Sequence, residues 1–288
     1  MTDVLELDPR LDTVPEVIGT RRPTPAMPAA RLRRSAAAIG WAAFGAAAFV
    51  GVWQFAAARS PDLPSPLAVA RALEHLLRNP FYDHGPNDKG IGRQLAVSLM
   101  RVGEGFGLAV AVGVPVGLLV GSSRRAWQAV NPLVQLLRPV SPLAWFPVWL
   151  AITKDAPQAA VVVIFLTALW PVVVNAAAGA ADVPVEQRNV ARVFKFGRLA
   201  YVRHVLVPNA LPSTITGLRL SMGTAWMVIV AVEMLSGSTG IGFFVWDSYN
   251  AGHLASVGAA IVLIGVVGLL LDHVFVRLSR RFVLEVQS

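Results

Sequence analysis

Residues Asp182 to Pro212 read DVPVEQRNVARVFKFGRLAYVRHVLVPNALP, a polar and basic stretch between two apolar runs, Pro157 to Ala181 and Ser213 to Leu235. It is too long for a tight turn. Val190, Val193 and Phe194 recur at near-helical spacing, with Arg188, Arg192 and Lys195 on the remaining faces, which predicts a short amphipathic helix. Gly197 is placed to end that helix, and Val207-Pro208 to Leu211-Pro212 to turn the chain back toward the next apolar run. The flanking runs are long enough to cross a bilayer, so the stretch reads as a structured loop of a membrane protein.

Composition agrees. Of 288 residues 55% are hydrophobic and only 15% charged, against roughly a quarter charged in an average soluble domain. Six runs qualify as spans: Ser35 to Ala58, Leu95 to Val120, Asn131 to Ile152, Pro157 to Ala181, Ser213 to Leu235 and Leu254 to Val276. Six spans put both termini on one side. With the N-terminus cytoplasmic, the inner segments hold sixteen basic residues and the outer ones six, Arg59, Arg71, Arg78, Lys89, Arg93 and Lys154. The positive-inside rule therefore predicts cytoplasmic N- and C-termini. The net charge of +8 is accounted for by topology, and nucleic acid is not an expected partner. There is no cysteine, and the five histidines, His75, His84, His204, His253 and His273, show no metal-ligand spacing.

The domain reading is a flexible cytoplasmic tail over 1–34 and a transmembrane domain over 35–288, with an outer loop at 59–93 and the inner segment at 182–212. Pro66 opens Leu67 to Leu73 as a short helix at the interface. Gly113, Gly117 and Gly121 form a small-xxx-small strip that Gly103 and Gly107 repeat upstream, which predicts close helix packing inside one subunit, a dimer seam being the other reading. Pro139, Pro142 and Pro147 make a straight third span improbable, and broken helices often line transport pathways; a loop between two short helices is the other reading.

The 182–212 segment resembles the coupling-helix motif of permease subunits of binding-protein-dependent ABC importers, in which an Ala-Arg pair precedes a Leu-Pro-like pair and a second proline. Ala191, Arg192, Pro208 and Pro212 match. The usual glycine four residues after the alanine is Lys195 here, and the usual glutamate two before it is Asn189. NVARV resembles the nitrate, cyanate and bicarbonate branch rather than the sulfonate branch. Further resemblance lies in LPSPLAV from Leu63, NPFYDHGPNDKGIG from Asn79, LLRPVSPLAWFPVWLAITKDAP from Leu136, TALWPVVVNAAAG from Thr167, TGLRLSMGTAWMVIVAVEML from Thr216 and GIGFFVWDSYN from Gly240.

The resemblance implies an all-α polytopic protein with the type I importer (MetI-like) fold and six transmembrane helices, in a bacterial plasma (inner) membrane. It implies a homodimer, two cytoplasmic ATPase subunits that bind the ATP and Mg, and an extracytoplasmic solute-binding protein. This chain itself would hold no cofactor. The expected cargo is a small oxyanion, nitrate first, with sulfonate, taurine, cyanate or bicarbonate as alternatives. Coupling to the ATPases would involve Glu186, Asn189, Val190, Ala191, Arg192, Phe194, Gly197 and Pro208, with Val190 and Phe194 filling an apolar groove and Arg192 at its polar rim.

Charged residues within spans are functional candidates. Arg101 and Glu104, three apart on one helix face, can pair. Arg219 and Glu233 share a face but lie about four turns apart, and Arg138 has no local partner. The candidate anion pathway comprises Arg138, Arg219, Trp170, Trp226 and Glu233, the alternative being that the arginines fix the fold and the tryptophans pack. Gly237-Ser238-Thr239-Gly240-Ile241-Gly242 lacks the lysine of a phosphate-cradling loop and reads as an outer turn. An intramembrane enzyme would need a buried catalytic pair that the spans do not offer, and a self-contained channel would not need the inner amphipathic helix.

Overall fold

The computed structural model describes residues 28–85 and 88–286. Residues 1–27, which hold most of the expected tail, lie outside the described residues. The chain divides into two units, 1–56 and 57–288. Helix α1 runs over Pro28–Arg59, most of it in the first unit, so helix begins ahead of the expected boundary at residue 35. Its part from Gly40 to Arg59 is long and apolar enough to cross a membrane.

The second unit is also helical. Ser65 caps α2 (Pro66–Arg78) by accepting the Ala68 N–H at 3.2 Å, with Pro66 in the first turn. This helix packs on α11 (Leu254–Val286) through buried Val69, against which Gly258 fits. Between them in sequence lie α3 (Ile91–Gly121), α4 (Arg124–Leu137), α5 (Pro142–Thr153), α6 (Ala156–Ala181), α7 (Val185–Val193), α8 (Arg198–Tyr201), α9 (Val207–Ser236) and α10 (Ile241–Asn250). Among the described residues five helices are long and apolar enough to span, and a sixth span exists if the bent pair α4–α5 counts as one.

That pair is bent by 91°. Pro139 and Pro142 follow Arg138, which caps α4, so two backbone donors are missing where a continuous helix would need them. Pro142 then opens α5 as a first-turn residue. The third span is thus two short helices, while Pro132 and Pro147 are carried inside them.

Helix α6 sits at the centre, with α3 on one side and α9 on the other. Lipid offers apolar surface as readily as protein does, so contacts here depend on close packing of small residues. A Cβ on Gly105, Gly113 or Gly117 would come within 2.7, 2.9 or 2.6 Å of Ile164, Val172 or Ala176 respectively, and one on Gly121 would overlap the Ala177 backbone. Contacts advance together along both chains, so α3 and α6 run parallel. Gly103 and Gly107 meet nothing within 4 Å. They lie on another face of α3, and the buried strip continues upstream through Ala109 and Gly105 instead. Helix α9 runs antiparallel to α6: Gly179 meets Ala210, Gly217 meets Asn175, and the Ser221 hydroxyl donates to Ala168 O at 2.9 Å.

No turn forms at Val207–Pro212. Residues Arg198 to Ser236 make one helical run in which Val202–Leu206 is a π-segment, closed by the Val207 N–H donating to Val202 O. The wider π spacing falls immediately before Pro208, where an α-helical donor is lacking, and both prolines are absorbed without reversing the chain.

Candidate functional site

The predicted amphipathic helix is α7, Val185–Val193. Ala191 is its one buried residue and packs with Ala180, Val183, Val205 and Leu206. A single small side chain therefore seats the helix on the ends of its neighbours. Outward, Val190 is 53% exposed, Val193 78% and Phe194 71%, and Phe196 and Leu199 extend the apolar surface. Glu186, Asn189 and Arg192 are exposed on the same short element, Gly197 is exposed beyond it, and Pro208 is half-buried. Large apolar side chains on a polar loop, left uncovered by their own chain, are the features of a surface completed by a partner.

Gly197 does not end this helix; it precedes α8 in extended backbone. The stop is made by Lys195, which adopts φ 52°. The Phe196 N–H donates to Ala191 O at 2.9 Å and the Lys195 N–H to Arg192 O at 3.0 Å, the paired bonds of a Schellman cap. That cap ordinarily takes glycine. Sequence spacing pointed to Gly197 because it was the nearest glycine, whereas the cap position is fixed by where α7 runs out of partners.

Two charged pairs join different spans at long range. Arg101 of α3 bonds Glu233 of α9 at 2.8 Å and Thr239 O at 2.7 Å, and Glu104, its expected partner, is exposed. Glu233 is 0% exposed. Its carboxylate also accepts from the Ser98 hydroxyl at 2.7 Å and the Gly242 N–H at 3.1 Å. Ser98 in turn accepts the Ile241 N–H at 2.9 Å, and the Gln94 side chain accepts the Gly240 N–H at 2.7 Å. Glycine is required at 240 and 242 because a Cβ at either would meet the Glu233 side chain within van der Waals limits. The network ties α3, α9 and the turn leading to α10. Both oxygens of Glu233 are engaged, so the geometry makes it an anchor for that turn, with no carboxylate oxygen offered to a passage.

Arg219 binds Asp272 of α11 through two bonds, Nε to Oδ1 at 2.5 Å and Nη2 to Oδ2 at 2.8 Å. This fork-on-carboxylate geometry neutralises the guanidinium, while both side chains stay nearly half exposed. Trp226 is buried beside them, its indole N–H donating to Ile264 O at 3.0 Å, which is the packing alternative. Trp170 is half-buried on α6. Arg138 stands exposed at the bend between α4 and α5, and its side chain makes no hydrogen bond or ion pair among the described residues. Of the five candidate pathway residues the structure joins only Arg219 and Trp226 to one locality.

Sequence reasoning missed Asp272 as the partner of Arg219, and Ser98 and Gln94 as partners of the 240–242 turn. Asp272 was legible as the only acidic residue in its span. Ser98 and Gln94 carry no local signal, because their partners lie more than a hundred residues away. Among the described residues no cluster of three or more His, Cys, Asp or Glu is placed to hold a metal.

Comparison with known proteins places this architecture. Residues 113–284 match the family described as binding-protein-dependent transport system inner membrane component. The nitrate import permease protein NrtB of Synechocystis is 45% identical over 77% of this chain and 81% of its own. The bicarbonate transport system permease protein CmpB of Synechococcus elongatus is 41% identical over 82% and 86%, and the putative aliphatic sulfonates transport permease protein SsuC of Bacillus subtilis 30% over 83% and 84%. A chain of the MetNI methionine ABC transporter in an inward facing conformation superposes with a TM-score of 0.60 over 67% of this chain and 95% of its own, at 19% identity, which shows a shared fold. On the family match and these identities, the chain belongs to the inner membrane components of binding-protein-dependent transport systems.

Proposed function

We propose that this chain is the translocation subunit of an ATP-driven nitrate importer, working as a homodimer with two cytoplasmic ATPase subunits and an extracytoplasmic binding protein. The observation that carries the coupling role is the uncovered apolar face of α7, Val190, Val193 and Phe194, held rigidly by Ala191 and the Lys195 cap. A rigid helix seated in an ATPase groove transmits displacement to α6 and to the π-segment that leads into α9, which it touches through Ala180 and Leu206. Two packed states, open inward or outward, would then be favoured by different partners. Glu186, Asn189 and Arg192 supply the polar rim, while Gly197 and Pro208 set the path of the chain beyond the cap. ATP and Mg belong to the partner subunits. With Arg219 neutralised by Asp272, the pathway cation supported best is Arg138, whose unpaired charge at the bend offers weak, reversible attraction to a passing anion.

Similarity to NrtB supports nitrate, and similarity to CmpB supports bicarbonate as the second reading. The topology proposed puts both termini and α7 in the cytoplasm. Purifying the complex from its native membrane tests both levels: ATPase subunits should co-purify, and the binding protein loaded with nitrate should stimulate ATP turnover more than when loaded with bicarbonate. Stimulation by bicarbonate alone would transfer the cargo assignment, and a purified chain that moves solute unaided would end the coupling reading.

A further inference from the structure

Two cavities meet at Arg188, where α3 and α6 end. The first, about 600 Å³, is lined by Arg188, Arg192, Lys195 and Arg198 with Tyr201 and Ser122, and no carboxylate faces it. The second, about 460 Å³, lies between Arg124, Trp127, Val174 and the alanines 177, 178 and 181. Arg188 and Ser122 border both.

The cationic cavity is chemically incomplete. Arg188 donates from Nη2 to Ala181 O at 2.7 Å, but its Nε is shut from solvent and has no acceptor. An enclosed guanidinium donor without a partner is costly, and none of the described residues supplies its acceptor. Arg192, Lys195 and Arg198 have no ion pair among the described residues. Lys195 moreover holds a left-handed backbone position, φ 52°, that glycine would fill without strain. A long cationic side chain is thus kept at a place where the backbone favours none.

Depth and shape select the acceptor. Ser122 caps α3 and Ala181 is the last residue of α6, so both cavities lie where spans meet the headgroup layer. Trp127 is an interfacial residue type, and basic pockets between helix ends take acidic lipid headgroups. A soluble anion would fill the cationic cavity and leave the apolar one beside it open. Of the face offered to a protein partner, Val190, Val193 and Phe194 line neither cavity, while Arg192 and Phe196 at its edge border the first.

We propose that this pair of cavities is a binding site for an anionic phospholipid, its phosphate held by Arg188 and Lys195 and one acyl chain lying along the alanines of α6 beside Trp127. The proposal rests on the membrane placement of the family and is independent of which anion is carried.

The test uses the purified transporter complex in nanodiscs that contain phosphatidylglycerol and phosphatidylcholine, with retained lipid read by native mass spectrometry. Wild type should retain phosphatidylglycerol in preference, and Arg188→Gln and Lys195→Gly should each weaken that preference about fivefold, the effect of one surface cation. Lys195→Gly relaxes the backbone while removing the charge, so lost lipid there cannot be ascribed to unfolding. Equal retention of the two lipids by wild type, or undiminished preference in both variants, overturns the proposal. Glycerol phosphate, which has the charge without the chains, should compete weakly; competition as effective as that of phosphatidylglycerol would make the cleft a soluble-anion site and also overturn it.

Discussion

The two ends of the helical bundle invert the usual distribution of polarity in opposite ways. At the turn before α10, charged and polar groups are buried: Glu233 is 0% exposed and is met by Arg101, Ser98 and the Gly242 N–H. At α7, large apolar groups are exposed: Phe194 is 71% exposed and Val193 78%. The first arrangement is satisfied within the chain, since every strong donor and acceptor finds a partner there. The second is left uncovered by the described residues, as is a surface that a partner completes. One end is therefore built for permanence and the other for exchange.

The contrast can be broken first at the buried end. Arg101→Ala leaves the Glu233 carboxylate buried without its countercharge, and removal of one partner of such a pair costs about 3–5 kcal/mol. The variant should lose its monodisperse peak on size exclusion in mild detergent, and an unchanged unfolding midpoint would show that the network is dispensable. At the exposed end, Phe194→Asp should leave that midpoint in place and abolish co-purification of the ATPases, a loss of at least about 2 kcal/mol in docking. Retained ATPases would remove Phe194 from the interface. Gly242→Ala sharpens the first half of the contrast, because the added methyl meets Val230 and Glu233 and overpacking costs about 1–3 kcal/mol. It should lower thermal stability while leaving ATPase binding intact. Smallest is Lys195→Gly, which relieves the left-handed strain and should raise stability by about 1 kcal/mol, measured as an upward shift in the melting midpoint of the purified complex.

The same division marks what could be read from the sequence. The α7 surface was legible because its signal is local, as apolar residues at helical spacing within a basic stretch can be seen without knowing what surrounds them. The broken third span was legible for the same reason, since Pro139 and Pro142 remove donors wherever they stand. Spacing also predicted the strip of Gly113, Gly117 and Gly121, but it assigned Gly103 and Gly107 to it as well. Only the seating of α6 decides between two strips of equal period, and it selects Gly105 and Ala109. The anchor of the α10 turn was opaque because Gln94 and Ser98 are separated from Gly240 and Ile241 by about half of the chain. Glu233 drew attention as an intramembrane charge, yet charge alone does not distinguish a passage from a structural clasp. The expected reversal at Pro208 and Pro212 failed because a π-segment moves the hydrogen-bond register ahead of the first proline, an adjustment that residue identity does not announce.

The mesh between α3 and α6 has a mechanical corollary. Glycines and alanines set every four residues interlock the two backbones like rack teeth, and sliding one past the other would mean climbing a full tooth of about 6 Å at 1.5 Å rise per residue. Such a pair resists shear and travels as one beam. Any rocking that accompanies a transport stroke would then fall to less continuous parts of the chain, of which the right-angled joint at residues 138–141, with its proline-stripped backbone, is one.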